Sequence, residues 1–110
     1  MKLFAALRRM REFERLQLFF MKSLIDFDII IEIGYGNEQN QPLTPKQLFL
    51  LNLSSVTTVR RRLAMLTKQG IVKRRTNPND RRSTTLSISS SSLKLLGKYQ
   101  SVLTSLSVPV

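Results

Sequence analysis

Residues 54–70 read SSVTTVRRRLAMLTKQG, and residues 71–82 continue with IVKRRTNPNDRR. In the first stretch Val56, Val59, Leu63 and Leu66 are spaced three, four and three apart. At about 100° per residue these side chains form one stripe, as on a helix with one buried side. Ser54 or Ser55 supplies an N-cap, and Gly70 supplies the residue that ends such a helix. Past Gly70 the period changes. Ile71 and Val72 open a short strand that runs into Lys73-Arg74-Arg75. Asn77-Pro78-Asn79-Asp80 is turn chemistry. Thr84, Leu86 and Ile88 then alternate with Ser83, Thr85 and Ser87, as in a half-buried strand. The stretch therefore predicts a helix followed by a two-stranded hairpin.

Working upstream, Thr44 marks another helix start. Pro45 takes the first helical position and Gln47 completes a T-x-x-Q capping box. Leu48, Phe49 and Leu51 supply its buried side. Asn52, Ser54 and Ser55 then interrupt it. Helix, tight polar turn and longer helix make a helix-turn-helix, with the hairpin as a wing.

Further out, Leu3, Leu7, Met10, Phe13, Leu16 and Phe20 predict an amphipathic helix over residues 3–20. Glu12 and Arg15 can pair along its surface. Residues 21–33 fit two periods. Leu24, Phe27, Ile30 and Ile31 suit a helix, whereas Phe27, Ile29, Ile31 and Ile33 suit a strand. The length of the apolar pattern favours a helix, capped by Ser23 with Asp26 and ended by Gly34 and Gly36. Residues 37–41 then read as a polar loop. At the other end, the serine run 89–92 reads as a strand end entering an N-cap. Leu95, Leu96, Tyr99, Val102, Leu103 and Leu106 form the stripe of a last helix over 90–107.

The expectation is one domain over residues 1–110, mostly α with a small β-wing (α+β). It is a winged helix-turn-helix with flanking N- and C-terminal helices: an N-terminal helix over 1–20, the helix-turn-helix and wing over 43–89, and a C-terminal helix. A chain of 110 residues can bury a sufficient core without staples.

The chain has no cysteine and no histidine. That excludes disulfides, thiolate chemistry and Cys or His metal ligation, and removes the commonest general base. No phosphate-binding glycine loop or suitably spaced carboxylate pair appears. Asp26, Asp28 and Glu32 have the period of a helix's polar side rather than of a hard-metal site. The reading is therefore no enzyme, no cofactor and no metal. Arg8 and Arg9 break the first apolar stretch too early for a signal peptide, and no run is long enough to span a bilayer. A cytoplasmic protein is expected.

Net charge is +11, from 18 basic and 7 acidic residues. Residues 1–41 balance to zero. Residues 60–82 hold Arg60, Arg61, Arg62, Lys68, Lys73, Arg74, Arg75, Arg81 and Arg82 against Asp80 alone. Solvated faces usually mix both signs. Cations concentrated in this way imply a polyanionic partner.

At this point the chain resembles the MarR-like winged-helix transcriptional regulators. The resemblance covers residues 43–89. It includes Leu43-Thr44 opening the first helix, Thr58-Val59-x-Arg61 in the second, and Leu66-x-x-x-Gly70-Ile71-Val72 with Arg74 before the wing. Asp80-x-Arg82 matches the wing motif, and Leu86-x-Ile88-Ser89 the closing strand. Where the family usually continues with Leu-Thr-x-x-Gly, this chain has its serine run, and only one helix follows. The resemblance implies a bacterial or archaeal regulator that binds double-stranded DNA as a homodimer.

The expected contacts follow from the helical wheel. Thr57, Arg61, Ala64 and Lys68 lie opposite the apolar stripe. Arg61, near the centre, suits a guanine edge, which accepts two hydrogen bonds in the major groove. Thr57 lies beside it, and Ser54, Ser55 and Thr58 lie near the helix start, whose N–H groups favour phosphate. Arg60 and Arg62 project to the flanks, toward phosphates that position without specifying. Lys73 and Arg75 share a strand face suited to phosphate. Arg81 and Arg82 lie at the wing tip for the minor groove or backbone, with Asp80 orienting one of them. The recognition helix is thus expected over 54–69 and the wing over 71–88. Two other readings fit the same residues: a winged helix that binds nucleic acid with little sequence preference, and a protein-interaction module. The apolar stripes of the two terminal helices suit either the protein's own core or a second copy.

Overall fold

The computed structural model describes residues 2–18, 20–77 and 80–106, except for the side chains of 77, 80–82, 105 and 106. It contains α1 (Leu3–Gln17), α2 (Leu24–Glu38), α3 (Pro45–Leu50), α4 (Val56–Lys68), β1 (Val72–Asn77), β2 (Asp80–Ile88) and α5 (Ser90–Leu106). These group into two compact units: the terminal segments carrying α1 and α5, and residues 23–89. Among the described residues, no helix is long and apolar enough to cross a membrane.

In residues 23–89, α2 packs on α3, α4 and β2, while α4 also meets β1. Ile29 and Ile33 of α2, Leu48 of α3, and Val59, Leu63 and Leu66 of α4 are all fully buried. Leu86, Val72, Ile71 and Ile88 close the core from the hairpin side. Each such side chain contributes about 1.5–3 kcal/mol of apolar burial. Three of the four apolar positions expected on α4 are therefore inside. Val56, the first residue of the helix, is exposed.

Of residues 21–33, 24–33 resolve as helix, with the N-cap Ser23 Oγ accepting from the Asp26 N–H at 3.3 Å. The expected stop at Gly34 and Gly36 is corrected: α2 runs through both to Glu38. The stop comes from Asn40, at φ 56°. Asn40 N–H bonds to Asn37 C=O at 3.2 Å and Gln41 N–H to Gly36 C=O at 2.9 Å, closing a Schellman motif. Gly36 serves packing instead. A Cβ there would stand 3.0 Å from the Gln41 carbonyl oxygen, a tight contact, so the glycine lets the returning chain lie close against the helix. Residues 37 and 38, read as loop, are helical.

The helix after Thr44 carries its full capping box. Thr44 Oγ1 accepts from Gln47 N–H at 3.1 Å, and Gln47 Oε1 accepts from Thr44 N–H at 2.9 Å. It ends at Leu50, and Asn52, with a φ of 57°, lies in the turn before α4. Leu51, expected on the buried side, is exposed.

In the hairpin, Val72 pairs with Ile88, Arg74 with Leu86 and Thr76 with Thr84, and the register shifts between Thr76 and Asn77. β1 thus extends two residues beyond the expected Arg75. The outer edge of β2 is occupied at Leu86 and Ile88. Leu86 N–H bonds to the Leu43 carbonyl at 2.8 Å. Asn37 Nδ2 donates to Leu86 C=O at 3.0 Å, and Ile88 N–H donates to Asn37 Oδ1 at 3.2 Å. A free strand edge invites pairing with another chain; here one amide and one carbonyl cover it.

In the terminal unit, the rings of Phe13 and Tyr99 meet with centroids 5.4 Å apart. The Tyr99 hydroxyl donates to Glu14 Oε1 at 3.4 Å. Burial, with the Glu14 charge behind it, raises the Tyr99 phenol above its ordinary range. α1 ends at Gln17, short of the expected Phe20, and Leu18 and Phe20 beyond it are buried. Glu12 pairs with Arg8 at 3.3 Å rather than with Arg15. No residue of α1 is buried; Leu3, Phe4, Leu7 and Leu16 stand exposed, as do Leu93 and Leu103 of α5.

Candidate nucleic-acid interface

The candidate interface lies on the start and outer side of α4. Ser55 is its N-cap: Ser55 Oγ accepts from Thr58 N–H at 3.2 Å and donates to Thr58 Oγ1 at 2.8 Å. Two of the hydroxyls expected to meet DNA, those of Ser55 and Thr58, are therefore engaged in building the helix start, and Ser54 beside them is half-buried. The helix closes at Gly70, φ 77°, where Ile71 N–H bonds to Leu66 C=O and Gly70 N–H to Thr67 C=O, each at 3.0 Å. Gly70 is thus the predicted left-handed stop. It sends the chain directly into β1.

Between these ends, Thr57, Arg61, Ala64 and Lys68 are all exposed. The apolar stripe turned inward puts them on the opposite side, as the wheel requires. The three consecutive arginines meet three different surroundings. Arg61 projects from the outer side. Arg60 is exposed, with its guanidinium carbon 5.3 Å from the centroid of the Phe49 ring. That distance is within cation–π range.

Arg62 turns inward, which corrects the expectation that it projects to a phosphate. Its Nε and Nη2 donate to Asp26 Oδ1 and Oδ2, both at 2.6 Å. The Asp26 side chain is fully buried and that of Arg62 is 20% exposed. Hydrogen bonding to Asp26 raises the Arg62 pKa further, so the guanidinium stays charged. Two parallel charge-assisted bonds of this kind are short, strong and directional. The physical reason for the correction is the wheel itself. Arg62 lies one turn from Val59 and Leu66 on the margin of the buried stripe, where a charge needs a partner. Asp26 is likewise not on a solvated side of α2.

On β1, Lys73 and Arg75 are both exposed and lie on one side of the strand, paired with Ser87 and Thr85. Arg74, exposed on the other side, pairs with Leu86. Asp80, Arg81 and Arg82 belong to the start of β2, but their side chains lie outside the described residues, as does the turn at 78–79. Among the described residues no group of three His, Cys, Asp or Glu is placed to hold a metal.

Three residues important to this arrangement escape a reading of the sequence. Asp26 holds Arg62 from 36 positions away, Phe49 seats Arg60, and Asn37 ties β2 to α2. Asp26 carries a local signal only as a cap partner of Ser23.

No protein-family model matches the sequence, and no curated protein matches it. Solved structures do match. The MepR–DNA complex of S. aureus superposes with a TM-score of 0.66 at 16% identity, over 90% of this chain and 79% of that one. A transcriptional regulator from Thermotoga maritima gives 0.62 at 24% identity, over 82% and 61%. A mutant of MarR from E. coli complexed with operator DNA gives 0.59 at 17% identity, over 90% and 69%. With its helix-turn-helix, its wing and its flanking helices, the chain has the winged-helix fold of the MarR-type transcriptional regulators.

Proposed function

We propose that this chain is a bacterial or archaeal cytoplasmic transcriptional regulator that binds double-stranded DNA sequence-specifically as a homodimer. The observation that carries the reading is the outward side of α4. Thr57, Arg61, Ala64 and Lys68 are exposed together, on a helix fixed by Ser55 at one end and Gly70 at the other. A rigid helix with an arginine at the centre of its free side suits a major groove, where guanine offers O6 and N7 to two donors. Lys73, Arg75, Arg81 and Arg82 supply cations from the wing, with Asp80 orienting one of the last two. The MepR and MarR neighbours that were solved with DNA support the same use of the fold. Chemistry on a substrate has no part in this role.

The exposed leucines of α1 and α5, with Phe4, support the homodimer. Apolar surface of this extent on two helices favours burial against a second copy. A two-fold pair would present its two α4 helices about 34 Å apart along one side of the duplex.

Selection from random duplex DNA, with the mass of each complex recorded, tests the whole reading. The expected result is a two-fold sequence motif with half-sites one helical turn apart, and two chains per duplex. Retention of duplex without enrichment of any sequence would replace it with low-specificity binding. No retention at low salt would leave a protein-interaction module.

A further inference from the structure

Arg60 and Phe49 bring a cation and a ring into stacking range, and they join the two helices of the helix-turn-helix. Phe49 is half-buried in α3 and Arg60 is exposed on α4. A cation over a ring face is held through its charge rather than through its N–H hydrogen bonds, so the contact leaves the guanidinium donors unspent. Arg62, two positions on, differs in this respect: its Nε and Nη2 are both given to Asp26. Phosphate is well matched by the planar fork of an arginine.

We infer that Phe49 is a positioning residue for nucleic-acid binding, holding the Arg60 guanidinium in place for a phosphate of the bound duplex. The inference rests on the DNA-binding reading above and deepens it. Arg60 and Arg61 then act differently. Arg61, on the outer side of α4, swings to reach a base edge, whereas Arg60 is fixed before binding and loses little rotamer freedom when a phosphate arrives. A phosphate contact carries no base information, so the effect of Phe49 is the same on every sequence.

Affinity for a random-sequence duplex, measured across a range of salt, tests this with four variants. Phe49→Leu keeps apolar volume but removes the ring, and is expected to weaken binding roughly two- to fivefold. Phe49→Tyr keeps the ring and is expected to bind like wild type. Arg60→Lys keeps the charge but gives up the guanidinium over the ring, and is expected to weaken binding by roughly the same two- to fivefold, a readout that stands even if Phe49→Leu folds poorly. In an Arg60→Ala background, where the salt slope falls by about 0.9, Phe49→Leu is expected to have no further effect. Additive effects of Phe49→Leu and Arg60→Ala, or wild-type binding by both Phe49→Leu and Arg60→Lys, would overturn the positioning role while leaving DNA binding intact. A wild-type protein that fails to retain duplex at low salt would remove both.

Discussion

Asp26 and Arg62, on α2 and α4, are joined by two hydrogen bonds of 2.6 Å, carboxylate to guanidinium, with the acid fully buried. Removing one member of a buried pair leaves the other charge without a partner. Asp26→Ala is therefore expected to lower stability by about 3 kcal/mol in urea unfolding. Replacing both residues with leucine should recover most of that stability. The pair also commits the Arg62 guanidinium to Asp26 within the protein. Arg62→Gln should leave the salt slope of duplex binding unchanged, and a drop near 0.9 would return Arg62 to the phosphate-binding set.

Asn37 satisfies one acceptor and one donor on the edge of β2. Asn37→Ala leaves the Leu86 carbonyl and the Ile88 N–H without that partner, at a cost of about 1–3 kcal/mol. Hydrogen exchange at the Ile88 amide should speed up by more than the change in global stability explains. Protection equal to wild type would show that the amide does not hold the strand.

The two glycines inside α2 should respond oppositely to alanine. A Cβ at Gly34 meets Ile88 at 3.9 Å, an ordinary contact. Gly34→Ala is expected to stabilise by up to about 1 kcal/mol, the gap between the two residues in a helix interior. At Gly36 the new Cβ would press on the Gln41 carbonyl at 3.0 Å, and the same change should destabilise. Thermal or urea unfolding of the two variants checks the sign of each.

Arg61→Ala is expected to cost roughly 1–3 kcal/mol on a selected site and to relax preference at one base pair. Repeating the selection with the variant measures this. An unchanged motif would rule Arg61 out as a base reader.

Replacing Arg81 and Arg82 together should reduce the salt slope by about 0.9 for each phosphate these side chains neutralise, with little change in the selected motif. A slope equal to wild type would show that the wing does not engage the backbone.

Much of this fold is legible in the sequence because its punctuation is local. Thr44 with Gln47, Ser55 and Gly70 each specify a helix end within a few residues, and the hairpin's change of period needs no distant partner. The errors come where the deciding contact is remote. Gly36 reads as a helix stop until Gln41 is seen lying against it. Arg60 and Arg62 read as equivalent flanks of Arg61, because nothing near them in sequence shows that Phe49 lies under one and Asp26 holds the other. The outer positions of α4 are legible from the wheel alone, since a buried stripe fixes the opposite side of the same helix. Lys73 and Arg75 are likewise placed by strand alternation.

Helix α2 grips the other elements at two points, Asp26 to α4 and Asn37 to β2, eleven residues or about 16 Å of helix apart. One helix therefore carries the side-chain ties to α4 at one end and to the hairpin at the other, so the placement of both is set by a common element.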